Sequence, residues 1–264
     1  MQITNIEWAD STWNPVTGCH NNCRYCYARS IANRFKSSVE TIAKKCRVSA
    51  LAYTPGKNDA TYEGEYHCPF PFGFDPTFYR ERLTEPQSKR KPQRIFVCSM
   101  ADLFGPWVPN KWIKDVFNAC KAAPQHKYMF LTKFPERYEL LDRKDLLPNL
   151  PNFYYGTTIN KELQLDTAFW TYNPKVRTFL SIEPIMEPFL MTSYDLPTLF
   201  THDMVIVGAE TGNRKDKIIP NRGWIDPIVR ECAATCVPLF MKDSLIPIMG
   251  EENMIRELPK GLKL

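Results

Sequence analysis

A chain of 264 residues exceeds a small single-core domain but fits one α/β barrel, which commonly takes about 250 residues with its insertions. Hydrophobic residues make up 44% and charged residues 24%, ordinary globular usage that excludes global disorder, a collagen-like repeat and a coiled coil. The net charge of +5 permits an anionic partner without requiring one, and no run approaches the roughly 18 apolar residues of a membrane span.

In chain order, a first strand is predicted around 13–17, followed by a helix over 28–36 with Ile31 and Phe35 on one face. The stretch 37–93 then breaks the rhythm with Pro55-Gly56, the run Cys68-Pro69-Phe70-Pro71-Phe72-Gly73 and the basic run Lys89-Arg90-Lys91. It reads as an insertion or cap after the first βα unit. From about residue 95, short β-rich runs alternate with helical patterns. Strands are predicted at 94–98, 127–131, 152–156, 178–182, 204–208 and 238–242. Between them fall a helix over 110–122 opened by an Asn cap, and one over 226–235 with Asp226 as cap and Pro227 at its first position. The expected fold is therefore α/β, a single domain over 1–264 forming a partial or complete (βα) TIM-like barrel of about six to eight units, with the insertion about 37–93.

Polar residues follow the apolar runs repeatedly: Asp102, Lys133, Glu183, Gly208 to Gly212 with Glu210 between them, and Lys242. In parallel α/β folds, ligands gather at the carboxyl ends of strands, so these residues are candidates to ring one mouth.

Nine cysteines form no even disulfide framework. Three of them crowd into Cys19-His20-Asn21-Asn22-Cys23-Arg24-Tyr25-Cys26. Thiolates this close repel unless a cation holds them, and soft sulfur ligands select zinc, copper(I) or iron-sulfur clusters. That favours metal chemistry in a reducing compartment. The amino-terminal residues also lack the order of a secretory signal, so a cytoplasmic protein with no membrane partner is expected. Three cysteines can hold three corners of a four-iron cluster and leave one iron open. A closed zinc site completed by His20, or by His67 and Cys68, is the alternative. Cys232 and Cys236 repeat a four-residue step without a third cysteine nearby, and with Cys46, Cys98 and Cys120 they read as packed thiols.

The spacing C-x3-C-x-aromatic-C, carried by Cys19, Cys23, Tyr25 and Cys26, resembles the radical S-adenosylmethionine superfamily. The ordered segments Thr12-Trp13-Asn14-Pro15-Val16-Thr17-Gly18-Cys19, Ser99-Met100-Ala101-Asp102-Leu103-Phe104, Leu131-Thr132-Lys133-Phe134-Pro135-Glu136-Arg137, Ser181-Ile182-Glu183-Pro184 and Val207-Gly208-Ala209-Glu210-Thr211-Gly212 resemble the phage Gp37/Gp68 family, also called DUF5131. Members of that family often have a longer gap between the first two cysteines; this chain has the general superfamily spacing. The resemblance implies an enzyme with a [4Fe-4S] cluster on Cys19, Cys23 and Cys26 that reductively cleaves S-adenosylmethionine. The 5′-deoxyadenosyl radical would then abstract hydrogen from a nucleobase or nucleotide, in nucleic-acid modification or repair. An external one-electron reductant, flavodoxin- or ferredoxin-like, is the implied partner. Tyr25 is expected beside the adenine. Asp102, Glu183 and Glu210 are candidates for the cofactor's ammonium or ribose, Lys133 for a carboxylate, and Gly208 for a backbone platform. Cys68 is a candidate hydrogen-atom donor. Arg80, Arg82, Lys89, Arg90, Lys91 and Arg94, set among Phe70, Phe72, Phe74, Phe78 and Tyr79, suit phosphate contact and base stacking. The competing class is a non-enzymatic, zinc-stabilised nucleic-acid-binding protein.

Overall fold

The structure, a computed structural model, describes residues 1–36, 48–52, 60–62, 70–164, 176–189 and 202–264. Twelve strands are seen among them: β1 (Gln2–Ile3), β2 (Ser11–Trp13), β3 (Val16–Thr17), β4 (Val48–Ala52), β5 (Ala60–Tyr62), β6 (Thr77–Tyr79), β7 (Arg94–Val97), β8 (Lys127–Thr132), β9 (Phe153–Ile159), β10 (Arg177–Ile182), β11 (Val205–Val207) and β12 (Leu239–Met241). The helices are α1 (Tyr27–Arg34), α2 (Asn110–Lys121), α3 (Glu136–Asp142), α4 (Arg222–Thr235) and the single turn α5 (Ile246–Met249). Eight strands share one sheet in the order β1-β2-β7-β8-β9-β10-β11-β12, and β3-β6-β4-β5 form a second. The pairs β2–β7, β9–β10, β10–β11 and β11–β12 are parallel, while β1 joins the edge antiparallel. The fold is thus α/β with a mostly parallel sheet, as the alternating pattern requires. Among the described residues no helix is long and apolar enough to cross a membrane.

All six strands predicted between 94 and 242 form, their ends moving by at most three residues. The first strand is corrected. Instead of running over 13–17 it splits, β2 entering the large sheet and β3 the small one. Asn14-Pro15 lies at the break: Pro15 has no N–H for a ladder, and Asn14 Oδ1 accepts from Met100 N at 2.9 Å and Ser99 Oγ at 3.2 Å. Two helix starts are corrected as well. Pro109, not Asn110, caps α2, and α4 begins at Arg222 after Asn221, with Pro227 inside it. Pro227 there forgoes one backbone bond rather than opening the helix. In the stretch 37–93, the described strands β4, β5 and β6 make an antiparallel sheet with β3.

The chain divides into two compact units, Met1–Thr4 with Ala9–Tyr128, and Asn5–Trp8 with Met129–Leu264. In the first unit, α2 buries Trp112, Ile113, Val116 and Phe117, and Phe78 of β6 stacks on Trp112 at 5.3 Å. Burying such side chains contributes roughly 1.5–3 kcal/mol each. In the second unit, strand alternation sorts the two sheet faces. Ile159, Leu180, Ile182, Val205 and Val207 join Ile225, Ile228 and Cys232 of α4 in one apolar cluster. Phe179 and Ser181, alternate with these, belong to the other face. There the Phe179 ring covers Gly156, where a Cβ would collide with it, and lies 6.2 Å from Trp8.

Candidate metal and cofactor site

The cysteine loop leaves β3 through Gly18, whose φ of +85° is a conformation open chiefly to glycine. A Cβ there would fall against the Asp75 carbonyl. Gly18 N donates to Met100 O at 2.9 Å and Cys19 N to Phe74 O at 3.1 Å, so the start of the cysteine loop is tied to the chain at Met100 and at Phe74. Tyr27 OH, at the start of α1, donates to Ser99 O at 3.0 Å. Cys26 is the N-cap of α1, its Sγ accepting from Arg29 N at 3.4 Å. Cys19 Sγ accepts from Asn21 N at the same distance. The Arg29 guanidinium donates to Cys19 O at 3.1 Å and lies 4.9 Å from the Phe74 ring centre.

All three thiols are partly buried. Burial pushes the Cys19 thiol up to about 12, with the Asp102 carboxylate and the other two cysteines adding to the shift. A thiol so placed ionises when a cation takes the proton's place. Among the described residues no three His, Cys, Asp or Glu side chains stand as a formed metal site. The donor set fits a soft cation on other grounds: three sulfurs, two of them receiving backbone N–H groups, at the amino end of a helix where negative charge is favoured. Asp102 is buried, its Oδ1 accepting from Phe104 N at 3.1 Å. Tyr25 is half-buried. His20 lies 5.4 Å from the Trp107 ring centre. Cys98 is buried, and desolvation pushes its thiol to about 12, in line with a packed thiol. Cys46, His67 and Cys68 fall outside the described residues.

In the second unit, the candidate residues stand beyond the carboxyl ends of β8, β10, β11 and β12. Lys133 Nζ donates to Asn160 Oδ1 at 3.5 Å, and Asn160 Nδ2 donates to Pro184 O at 2.8 Å. Glu183 pairs with the Lys242 ammonium, which also lies 3.9 Å from Glu7. Burial lowers the Lys242 pKa, but Glu183, Glu7 and Asp243 outweigh it, leaving the ammonium above its ordinary value. Gly208 has the Lys242 side chain, Glu183 and Ser244 around the position of a Cβ. Ala209 N donates to Ser244 Oγ at 3.0 Å. The Glu210 carboxylate is held two-handed by Arg214, at 2.7 and 2.8 Å. That pairing, aided by the Ile218 N–H, holds it below the usual carboxylate range.

Sequence reasoning missed Glu7, Asn160, Arg214 and Ser244. Asn160 was in reach: β9 runs three residues past its predicted end, and that error hid the residue following the strand. The predicted basic and aromatic mixture is in part internal. Arg82 donates to Asn14 O at 2.8 Å and covers the Tyr79 ring at 3.7 Å, and Arg94 pairs with Asp10. Phe74, Phe78 and Tyr79 are buried and closed to base stacking.

No curated protein matches the sequence. The fold is similar to solved structures of spore photoproduct lyase. A cysteine-to-alanine variant with dinucleoside spore photoproduct shares 12% identity at a TM-score of 0.51, covering 89% of this chain and 62% of that one. A tyrosine-to-phenylalanine variant shares 10% identity at 0.52, covering 91% and 78%. The chain thus spans 62% of the first structure's length, and at such identities the likeness is one of fold. The model of a family described as a protein of unknown function matches residues 3–245, and the chain therefore belongs to the DUF5131 family.

Proposed function

We propose that this protein is a radical S-adenosylmethionine enzyme acting on a nucleobase or nucleotide, in nucleic-acid modification or repair. One observation carries the reading: three cysteines within eight residues, two of their sulfurs receiving backbone N–H groups. Cys19, Cys23 and Cys26 would hold a [4Fe-4S] cluster. When bound, the cluster and S-adenosylmethionine supply a 5′-deoxyadenosyl radical after one-electron reduction, and radical chemistry of this kind belongs to the cofactor. A flavodoxin- or ferredoxin-like donor would deliver the electron.

The chain's own residues bind and orient. Gly18 sets the direction of Cys19, and Arg29 ties the first cysteine's carbonyl to the third cysteine's helix. Tyr25 and Asp102 are proposed to contact S-adenosylmethionine, as are Lys133, Gly208 and Glu183; Asn160 holds the Lys133 ammonium, Lys242 holds Glu183, and Ser244 takes the N–H of Ala209 beside Gly208. Glu210, its carboxylate held by Arg214, is proposed for the cofactor's ammonium or ribose as well. Cys68 is retained as the proposed hydrogen-atom donor on its sequence context alone. The nucleic-acid assignment draws support from the fold shared with a lyase solved with a dinucleoside photoproduct.

The test is anaerobic purification with iron and sulfide analysis, then reduction with dithionite in the presence of S-adenosylmethionine and assay of 5′-deoxyadenosine. About four irons per chain and 5′-deoxyadenosine formation, both lost in Cys23→Ala, are expected. One zinc, no iron and no cleavage would overturn the reading in favour of a zinc-stabilised binding protein.

A further inference from the structure

The segment after β11, 211–222, is an ordered surface loop that the proposed chemistry leaves without a task. It runs Thr-Gly-Asn-Arg-Lys-Asp-Lys-Ile-Ile-Pro-Asn-Arg, four cations against one acid and no aromatic residue. A loop of this length without secondary structure is uncommon in a compact fold unless it has a function.

What holds it is Glu210. Its carboxylate takes both arms of Arg214 and the N–H of Ile218, while Lys217 Nζ reaches back to Gly212 O at 3.4 Å. Arg214 is thereby spent as an anchor. Lys215, Lys217 and Arg222 remain exposed; Arg222 lies 3.4 Å from Asp226, and Asp216 is the acid within the loop. Between these cations Ile219 is 69% exposed. The loop ends at the amino terminus of α4, whose first turn has no acid and whose Asn221 makes no side-chain cap. The helix dipole therefore adds positive potential at the same place.

We propose that this segment is a docking surface for double-stranded DNA, with Lys215, Lys217 and the start of α4 on the phosphates and Ile219 entering the base stack. The inference rests on the nucleic-acid substrate proposed above. Phosphate contacts by lysines supply affinity and position. An apolar aliphatic side chain flanked by cations is the form taken by residues that wedge between base steps. Proteins that bind single strands rely instead on aromatic platforms, and the segment has none. Chemistry on a base demands that the base leave the stack, which gives the wedge its use.

The experiment measures binding of the full chain to a fluorescently labelled duplex and to the matching single strand at several salt concentrations. It also follows the emission of a 2-aminopurine placed within the duplex. The wild type is expected to prefer the duplex and to raise 2-aminopurine emission. Lys215→Ala with Lys217→Ala should weaken binding and lower the slope of log affinity against log salt by about two. Ile219→Ala should bind within about twofold of wild type yet lose the emission rise. Wild-type affinity and slope in the double variant would overturn the surface, as would loss of binding on replacing Lys89, Arg90 and Lys91 instead. An unchanged emission rise in Ile219→Ala would overturn the wedge, and tighter binding to the single strand would overturn the duplex. Iron content and DNA-free S-adenosylmethionine cleavage of the wild type report separately on the functional reading.

Discussion

The two units present their chemistry in opposite ways. In the first, three thiols sit within eight residues; backbone N–H groups reach two of the sulfurs, the Arg29 guanidinium holds the Cys19 carbonyl, and the buried Asp102 carboxylate lies near enough to raise the Cys19 thiol further. In the second, the polar groups come from strand ends spread between Lys133 and Lys242, and the fold pairs them with one another: Glu183 with Lys242, Glu210 with Arg214, Lys133 with Asn160. A contiguous loop can be held open by its backbone and still offer unspent ligands. A distributed set, drawn from several elements, is fixed by satisfying its members mutually, so part of its charge goes to architecture.

That contrast is broken most severely at Gly18. Replacing it with Ala places a Cβ against the Asp75 carbonyl and forces a side chain into φ +85°. Backbone strain and overpacking of this kind cost on the order of 3 kcal/mol or more. Because Gly18 N and Cys19 N tether the start of the loop, metal content should fall with stability. Chemical denaturation together with iron analysis checks this; a Gly18→Ala protein that keeps both would mean that the loop is not backbone-held.

A second test concerns His202, an exception to the mutual pairing of the second unit. Its Nδ1 meets Thr178 Oγ1 at 3.0 Å, and its Nε2 has no partner among the described residues. Burial pushes its pKa down to about 4, against about 6.5 in an unfolded chain. Between those values the unfolded state binds the extra proton. Stability attributable to this residue is therefore intact above pH 6.5 and falls progressively towards pH 4, by roughly 3 kcal/mol in all. Urea unfolding of the wild type and His202→Gln at pH 7 and pH 5 should show a shallower pH dependence in the variant. Equal dependence would place the titrating group elsewhere.

Lys242 tests the pairing itself. Lys242→Met leaves Glu183 and Glu7 without the cation between them, a loss of about 2 kcal/mol for a charge-assisted bond in a partly buried site. Adding Glu183→Gln should recover part of it, since the two losses share one interaction. Strict additivity in a double-mutant cycle would show the pair to be incidental. The raised Lys242 pKa adds a pH signature: its contribution is present below about 10.5 and is lost as pH rises beyond the folded value.

The same contrast explains what could be read from the sequence. Strands such as β7 and β10 were legible because their runs of β-branched and aromatic residues are bounded by turns, and Cys19, Cys23 and Cys26 because their spacing is local. The division of β2 from β3 was not, since it depends on Asn14 bonding residues 85 and 86 positions away. Nor was the start of α4, where Pro227 in a first-turn context imitates a helix opening that lies at Arg222. Glu210 shows the limit most plainly. Its place after β11 makes it a candidate cofactor ligand, and nothing local in the sequence shows that Arg214, four residues later, folds back to hold its carboxylate.

The smallest expected effect lies at the far end of α4. Cys236 closes that helix at φ +56°, a left-handed conformation that favours glycine. Its side chain is exposed, so little packing is lost by removing it, whereas Cys232 one turn earlier is buried in the apolar cluster. Cys236→Gly should therefore stabilise the protein by about 0.5–1 kcal/mol, and Cys232→Gly should destabilise it through a cavity and a glycine within the helix. Thermal unfolding of the two variants separates them by sign. If both destabilise, Cys236 contributes packing that its exposure does not reveal, and the two cysteines act together; opposite signs leave each in its own structural role, unlike the three cysteines of the first unit.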